Sequence, residues 1–316
     1  MVRHLLKQSI IGSLLALLAN SCANQPIPPS TSELPTTTDA KKTIVIADIS
    51  DEPTKQIEKY QPFADHLAAQ LNTTGVGAGK VEIAPDMPTV AAWLASGKVD
   101  VYFDSPYPSL IVSNLSGAEP LLRRWKDGVS AYHSVIFTRA DSDAKTIHDL
   151  QGHMIAFEEP FSTSGYMLPL AYLIESGLQP VEKTDAKTQV AKDKVGYVFS
   201  TDNENSIHWV LTGQVTAAAI GWPDFTELPI EARQQLTVLA ETEALPRHLV
   251  LFSPTLSDEE VAALETALLE MDETAEGQAV LQAFEATTQF DAFPEGKDQA
   301  LARMRELYNF VQAENQ

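Results

Sequence analysis

Segments typical of strands and segments typical of helices alternate along most of the chain. Residues 43–48 form a short β-branched run that ends in turn residues, and residues 55–71 then carry apolar side chains at helical spacing. Further strands are predicted at 81–84, 99–103, 121–125, 132–139, 154–157, 195–199, 216–220, 237–239 and 248–252. Further helices are predicted at 88–96, 105–116, 147–150, 162–176, 205–212, 258–271, 277–284 and 299–311. This alternation predicts an α/β protein with parallel or mixed sheets covered by helices.

A glycine-rich segment, residues 75–79, precedes the predicted strand at 81–84. A glycine loop that binds phosphate joins a strand to the helix that follows it, and this segment does not. We therefore interpret it as a turn.

Composition and charge exclude several classes of protein. The chain has 316 residues, which allows about two domains of roughly 150 residues each. Its 22 Lys and Arg against 43 Asp and Glu give a net charge of −21, which would repel DNA and RNA. A single cysteine excludes an internal disulfide framework. The seven histidines show no metal-binding spacing, so no metal and no cofactor is predicted.

The N-terminus has the features of an export signal. Arg3 and Lys7 precede an uncharged apolar run at 10–19, which is too short to cross a bilayer of about 30 Å hydrocarbon thickness. The run ends in Ala-Asn-Ser before Cys22, which resembles a lipobox, in which the cysteine is acylated. We predict a signal peptide at 1–21, a polar lipoprotein linker at 22–42, and a location outside the inner membrane. The alternative is an ordinary secretory signal with an incidental cysteine.

One segment concentrates hydroxyl groups at the predicted start of a helix. Ser162, Thr163, Ser164 and Gly165 follow a predicted strand and open the helix at 162–176. Free backbone N–H groups and the helix dipole favour an anion there, so these hydroxyls are candidates to bind an oxyanion. Serine and threonine are also the most common helix caps, and from spacing alone both interpretations stay open.

Several motifs together carry a resemblance to a known family. They are YQPFADHL at 60–67, GKVDV at 97–101, FEEP at 157–160 leading into STSGY at 162–166, NSI at 205–207 and GQV at 213–215. With them the chain, from about 43 to 293, resembles the phosphate, phosphite and phosphonate substrate-binding proteins of ABC transporters. These proteins form a branch of the type II periplasmic-binding-protein fold.

The resemblance implies a fold and a function. Two lobes, each a mixed sheet flanked by helices, would be joined by two crossover segments, with lobe 1 at 43–135 plus 247–316 and lobe 2 at 136–246. The lobes would close over a small phosphorus oxyanion, gripped by the Ser-Thr-Ser hydroxyls, and a monomer would hand it to a membrane permease. No bond would be made or broken. An extracytoplasmic enzyme acting on phosphorylated compounds and a ligand-sensing lipoprotein are the alternatives.

The chain departs from the family pattern at several positions. Asn203 and Glu204 stand where the family commonly has a His-Asp pair, and Thr216 stands where it commonly has an aspartate. Acidic residues at 104, 204 and 224 favour a ligand with an amine, or else they face solvent. The predicted ligand-binding residues are Ser162, Thr163, Ser164, Gly165, Asp104, Ser105, Tyr107, His133, Asn203, Glu204 and Trp222. For His133 a structural role stays open, and for Trp222 core packing does. The basic cluster at 123–126 is a candidate to supply counter-charge to an anion, but for most of its residues a solvated strand end is the preferred interpretation.

Overall fold

Two six-stranded mixed sheets and a two-stranded ribbon make up the β structure of the computed structural model, which describes residues 41–314. The predicted signal peptide, Cys22 and nearly all of the linker lie outside the described residues. Within residues 41–314, no helix is long and apolar enough to cross a membrane. The predicted α/β class is confirmed.

The elements follow the predicted alternation closely. The strands are β1 (Lys42–Ile49), β2 (Val76–Ala84), β3 (Val101–Asp104), β4 (Glu119–Lys126), β5 (Ala131–Tyr132), β6 (Ser134–Arg139), β7 (Met154–Phe157), β8 (Pro180–Glu182), β9 (Val195–Phe199), β10 (Ala217–Gly221), β11 (Leu236–Glu241), β12 (Leu245–Pro246), β13 (His248–Phe252) and β14 (Thr287–Asp291). The helices are α1 (Pro53–Gln70), α2 (Met87–Ala95), α3 (Pro106–Ser116), α4 (Leu168–Glu175), α5 (Asn203–Leu211), α6 (Trp222–Glu227), α7 (Ile230–Arg233), α8 (Asp258–Leu269), α9 (Ala275–Ala283) and α10 (Lys297–Glu314).

Each of the two six-stranded sheets contains parallel strands whose carboxyl ends can border a ligand site. The first sheet has the order β14-β4-β13-β3-β1-β2, with β1 parallel to β2 and β3. The second has the order β11-β6-β10-β7-β9-β8, with β7 parallel to β9 and β10. Ligands in α/β sheets bind beyond the carboxyl ends of parallel strands. A ligand is therefore expected beside the loops after β1, β3, β7, β9 and β10.

A short antiparallel ribbon joins the two crossings of the chain between the sheets. The chain leaves the first sheet through β5 and returns through β12, and Leu245 pairs with Tyr132 in this ribbon. Helix α10 contacts α4, which packs on the second sheet, and α3, which leads out of the first. Helix α10 therefore packs against helices that belong to both sheets.

The interpretation of residues 75–79 as a turn is wrong for most of the segment. Only Gly75 has a left-handed backbone, with φ of 85°, whereas Gly77 and Gly79 lie within β2. A Cβ on Gly79 would lie 2.1 Å from the carbonyl oxygen of Ala64 in α1. This glycine therefore allows the helix to pack directly on the strand.

The interpretation of residues 123–126 as a solvated strand end is also wrong. Arg124 is 1% exposed, its Nε donates to Thr287 Oγ1 at 2.8 Å, and its Nη2 lies 3.2 Å from Glu285 Oε2. Arg123 pairs with Asp291 of β14. The sequence analysis missed β14, so it could not place these partners beside β4. The two arginines tie the edge strand to the sheet.

Candidate ligand-binding site

The hydroxyl-rich segment begins a helix as predicted, and its first residue is a cap. Residues Thr163–Met167 form one π-helical turn that continues into α4. Ser162 Oγ accepts from the N–H of Gly165 at 2.8 Å and donates to Glu158 Oε2 at 2.7 Å. A Cβ on Gly165 would lie 2.5 Å from the side chain of Glu158, so only glycine fits there. The Ser162 hydroxyl is thus already engaged within the protein.

Thr163 connects the segment to the end of the first sheet. It is 1% exposed, and its Oγ1 accepts from the N–H of Tyr107 at 2.9 Å and donates to Ser105 Oγ at 3.0 Å. Ser105 occupies the N-cap position of α3, but its own side chain makes no capping bond. Thr163 Oγ1, from the segment that follows β7, accepts the Tyr107 N–H in the first turn of α3 in its place. Two helix N-termini, both electropositive, therefore meet at this residue.

Ser164 faces a second group of polar side chains. If Gly221 carried a Cβ, that atom would lie 3.2 Å from Ser164 Oγ and 2.8 Å from Asp224 Oδ2. The side chains of Ser164 and Asp224 therefore both approach the backbone of Gly221. The hydroxyl of Tyr132, in the ribbon strand β5, interacts with the hydroxyls of Thr163 and Ser164. Burial raises the pKa of Tyr132, so this hydroxyl stays protonated and can donate.

Arg247 brings positive charge to this group from the returning crossover. Its guanidinium lies 4.6 Å from the ring centroid of Tyr132, a cation–π contact, and its charge also acts on Asp224. The sequence analysis missed Arg247, because nothing in its surroundings marks it as a site residue. Tyr132 carried a weak signal, since it lies where the chain crosses between lobes in the family that the chain resembles.

Carboxyl groups surround the hydroxyls. Burial raises the pKa of Asp104, although its oxygens accept from Tyr102 Oη at 2.5 Å and from the N–H of Ser105 at 2.6 Å. Burial likewise raises the pKa of Glu158 and of Asp224. At the end of β1, burial raises the pKa of Asp48 to about 6. The site is therefore rich in carboxyl groups that resist ionisation.

The remaining predicted residues lie at the margins. The Tyr107 hydroxyl accepts from Gln312 at 3.1 Å, whereas the backbone N–H of Tyr107 donates to Thr163. Asn203 interacts with Asp224, and its buried Oδ1 has no hydrogen-bond partner in the described part of the chain. Glu204 is exposed in the first turn of α5. The geometry brings Asn203 to the site but leaves Glu204 in solvent.

His133 and Trp222 form a pair of their own. Their rings stack with centroids 5.3 Å apart, and the backbone N–H of Trp222 donates to the backbone carbonyl of His133 at 2.8 Å. His133 Nε2 lies 3.3 Å from Glu241 Oε2, but the angle does not make a hydrogen bond. Trp222 is 37% exposed and directly follows Gly221. The pair borders the Ser164 side of the site without a described contact to its hydroxyls.

A cleft opens between the ends of the two sheets. It has a volume of about 660 Å³, and both Ser105 and Ser162 line it, together with the acidic residues Asp86, Asp104, Glu158 and Glu159. Ile49, Met87, Ile111 and Phe161 are among its apolar lining residues. Within residues 41–314, no cluster of His, Cys, Asp and Glu could hold a metal ion. The cleft can hold a small polar ligand by hydroxyls, amides and carboxyl groups.

Sequence comparison identifies the family. The model of the family described as "ABC transporter, phosphonate, periplasmic substrate-binding protein" matches residues 46–300, most of the chain. The chain belongs to this family. It is a family of binding proteins, which confirms the prediction of a binding protein rather than an enzyme.

One relative and two solved structures are similar to this chain. The phosphate-import protein PhnD of Mycolicibacterium smegmatis is 32% identical over 211 residues, which cover 64% of this chain but only 61% of that protein. Among solved structures, XAC2383 from Xanthomonas citri bound to ATP has a TM-score of 0.77 at 23% identity, covering 86% of this chain and 98% of that one. PhnD1 from Prochlorococcus marinus in complex with methylphosphonate has a TM-score of 0.59 at 16% identity, covering 86% and 99%. The predicted periplasmic-binding-protein fold is confirmed.

Proposed function

We propose that the protein is the extracytoplasmic solute-binding component of an ABC importer and binds a small phosphorus oxyanion, namely a phosphonate, phosphite or phosphate. The hydrogen bond from the Tyr107 N–H to Thr163 Oγ1 carries this proposal, because it brings two helix N-termini together at a buried hydroxyl. An oxyanion bound here receives N–H and O–H donors from both sides, which needs no metal. The phosphate-import relative and the methylphosphonate-bound neighbour support the ligand class.

Binding in this proposal closes two lobes over the ligand. Lobe 1 consists of residues 43–135 and 247–316 and lobe 2 of residues 136–246, with the ribbon of β5 and β12 as the hinge. Thr163 belongs to lobe 2 and its partners Ser105 and Tyr107 belong to lobe 1, so closure brings these groups together, and a bound oxyanion would take the Tyr107 N–H from Thr163 Oγ1. A ligand that bridges them shifts the population towards the closed form, which a permease recognises.

The carboxyl groups favour a ligand that also carries an ammonium group. Glu158 and Asp224 flank the hydroxyls, and as carboxylates they would repel a bare oxyanion but attract a nearby cation. We propose that an ammonium group close to the phosphorus oxyanion strengthens binding, whatever the rest of the substituent is. Calorimetry with 2-aminoethylphosphonate and ethylphosphonate tests both parts, because the two ligands differ only in the amine. If neither ligand binds, the oxyanion site itself is refuted.

The raised pKa values of Glu158 and Asp224 determine the direction in which pH changes the preference for an amine. The pKa values of Glu158 and Asp224 are raised by burial, so acidification neutralises them earlier than ordinary carboxyl groups. We expect the preference for 2-aminoethylphosphonate over ethylphosphonate to fall as the pH is lowered through these raised pKa values. Because the ammonium group lowers the second pKa of its own phosphonate, each affinity is first corrected for the measured titration of the free ligand. A ratio that stays constant or rises on acidification would show that these carboxyl groups do not bind an amine.

Lipid anchoring at Cys22 is a separate part of the proposal. The small residues before the cysteine and the polar linker after it support acylation at this position. The Cys22→Ser variant should leave the membrane fraction and keep the ligand affinity of the wild type. Retention of its mature form in that fraction would point to another anchor.

A further inference from the structure

A groove lined by aromatic side chains lies next to the proposed oxyanion site. Its volume is about 880 Å³, within the ~300–1,000 Å³ of pockets that bind small organic molecules. The rings that line it belong to Tyr107, Phe161, Tyr166, Tyr197, Phe199 and Tyr308. Phosphate or methylphosphonate would leave this groove empty.

The groove is built on the two segments that carry the oxyanion donors. Phe161 and Tyr166 flank the three hydroxyl residues in the sequence, and both line the groove. Tyr107 donates its N–H to Thr163 while its ring lines the groove. Phe161 also lines the cleft that contains Ser105 and Ser162. The groove therefore borders the segments that hold the oxyanion donors.

The lining suits an uncharged planar ring. Phe161 is 54% exposed, and the ring centroid of Tyr308 lies 5.9 Å from that of Tyr107 at a tilt of 58°. Aromatic rings favour such tilted or offset contacts with one another, and a ligand ring would add more of them. Side-chain amides of Asn114 and Gln312 provide polar groups for the edge of a ring. Of the described residues that line the groove, none is a lysine or arginine and Glu182 is acidic, so the groove disfavours a second anion.

We infer that the ligand is an organic phosphoryl compound that carries a planar ring, with the phosphoryl group at Thr163 and Ser164 and the ring in this groove. The inference rests on the proposed oxyanion site and specifies its substrate class. Two classes of compound, aryl phosphonates and nucleotides, have this chemistry. In an aryl phosphonate the ring is bonded to phosphorus, whereas in a nucleotide a sugar separates the base from the phosphate.

Two matched ligand pairs test the inference by calorimetry on the full-length protein. One pair is phenylphosphonate and methylphosphonate, and the other is adenosine 5′-monophosphate and ribose 5-phosphate. We expect the ring-bearing member of at least one pair to bind at least tenfold more tightly, which corresponds to about 1.4 kcal/mol. The pair that shows the preference identifies the source, because the two differ in the distance from phosphorus to the ring.

A variant in the groove tests whether the ring of the preferred ligand binds there. Tyr308→Leu removes a ring of α10 that lines the groove and keeps an apolar side chain there. It should reduce the preference for the ring to less than threefold and leave the affinity for methylphosphonate unchanged. Tyr172→Leu is the matched control, because Tyr172 is a half-buried tyrosine of α4 that does not line the groove. This control should keep the full preference.

Three results would overturn the inference, and they are distinguishable. If methylphosphonate binds and neither ring-bearing ligand binds more tightly than its partner, the groove has no role and the oxyanion site stands. If the preference exists but persists in Tyr308→Leu, the ring binds elsewhere. If no phosphoryl compound binds, the proposed function fails and the inference fails with it.

Discussion

Replacing Thr163 and Ser164 together by alanine is expected to weaken methylphosphonate binding at least tenfold. Hydrogen bonds to a charged group are worth about 1.5–3 kcal/mol each, and a tenfold loss corresponds to about 1.4 kcal/mol. The estimate is the lower bound, because water can replace part of what is lost. The backbone N–H of Tyr107 and both helix dipoles survive the change, so some binding should remain. Calorimetry on the folded variant measures the effect.

A capping residue elsewhere serves as the matched control for this variant. Thr274 caps α9 by accepting from the N–H of Gly277 at 3.0 Å. Thr274→Ala should lower the free energy of unfolding by about 1 kcal/mol and leave methylphosphonate affinity unchanged. If the double variant also binds within twofold of wild type, its hydroxyls only cap and join helices, and the oxyanion site lies elsewhere.

The Arg124→Met variant is expected to lower the free energy of unfolding by about 3–5 kcal/mol, the usual cost of removing one partner from a buried ion pair. Arg124 is 1% exposed and bonds Thr287, Glu285 and the Phe284 carbonyl, with its guanidinium 4.2 Å from the ring centroid of Phe284. Methionine fills much of the space but satisfies none of these groups. Urea denaturation with two-state fitting measures the change.

Arg139→Met is the control for Arg124→Met, because Arg139 pairs with Asp141 at the surface, where both side chains are exposed. Such a pair contributes about 0–1 kcal/mol. A loss below 1 kcal/mol for Arg124→Met would mean that this network adds little to stability. In that case Arg124, as part of the basic cluster at 123–126, would be a candidate for a functional role.

Local patterns were sufficient to predict most of the fold. The strand at Met154–Phe157 and the strand at Val195–Phe199 were predicted with the observed bounds, since short apolar runs between turn residues define buried parallel strands. Residues 75–79 were misread because glycine favours turns locally, whereas the close approach of α1 to Gly79 is a tertiary contact. The strand β14 was missed because it is short and lies between two strongly helical segments.

The candidate site could be predicted only where it is continuous in sequence. The hydroxyl run at 162–164 and the cap at Ser105 are local patterns, and the structure brings Thr163 to Ser105. Arg247 reaches the site through the pairing of β12 with β5, which no local pattern reveals. Glu204 was chosen for its type and position, but in the first turn of α5 it points to solvent.

A crystal structure of the complex with methylphosphonate tests the central claim most directly. The account predicts a phosphonate oxygen within hydrogen-bonding distance, about 2.7–3.2 Å, of the Tyr107 backbone nitrogen, with the hydroxyls of Thr163 and Ser164 as further donors. A phosphonate bound away from these groups, with the Tyr107 N–H still on Thr163 Oγ1 at the 2.9 Å seen here, would contradict it.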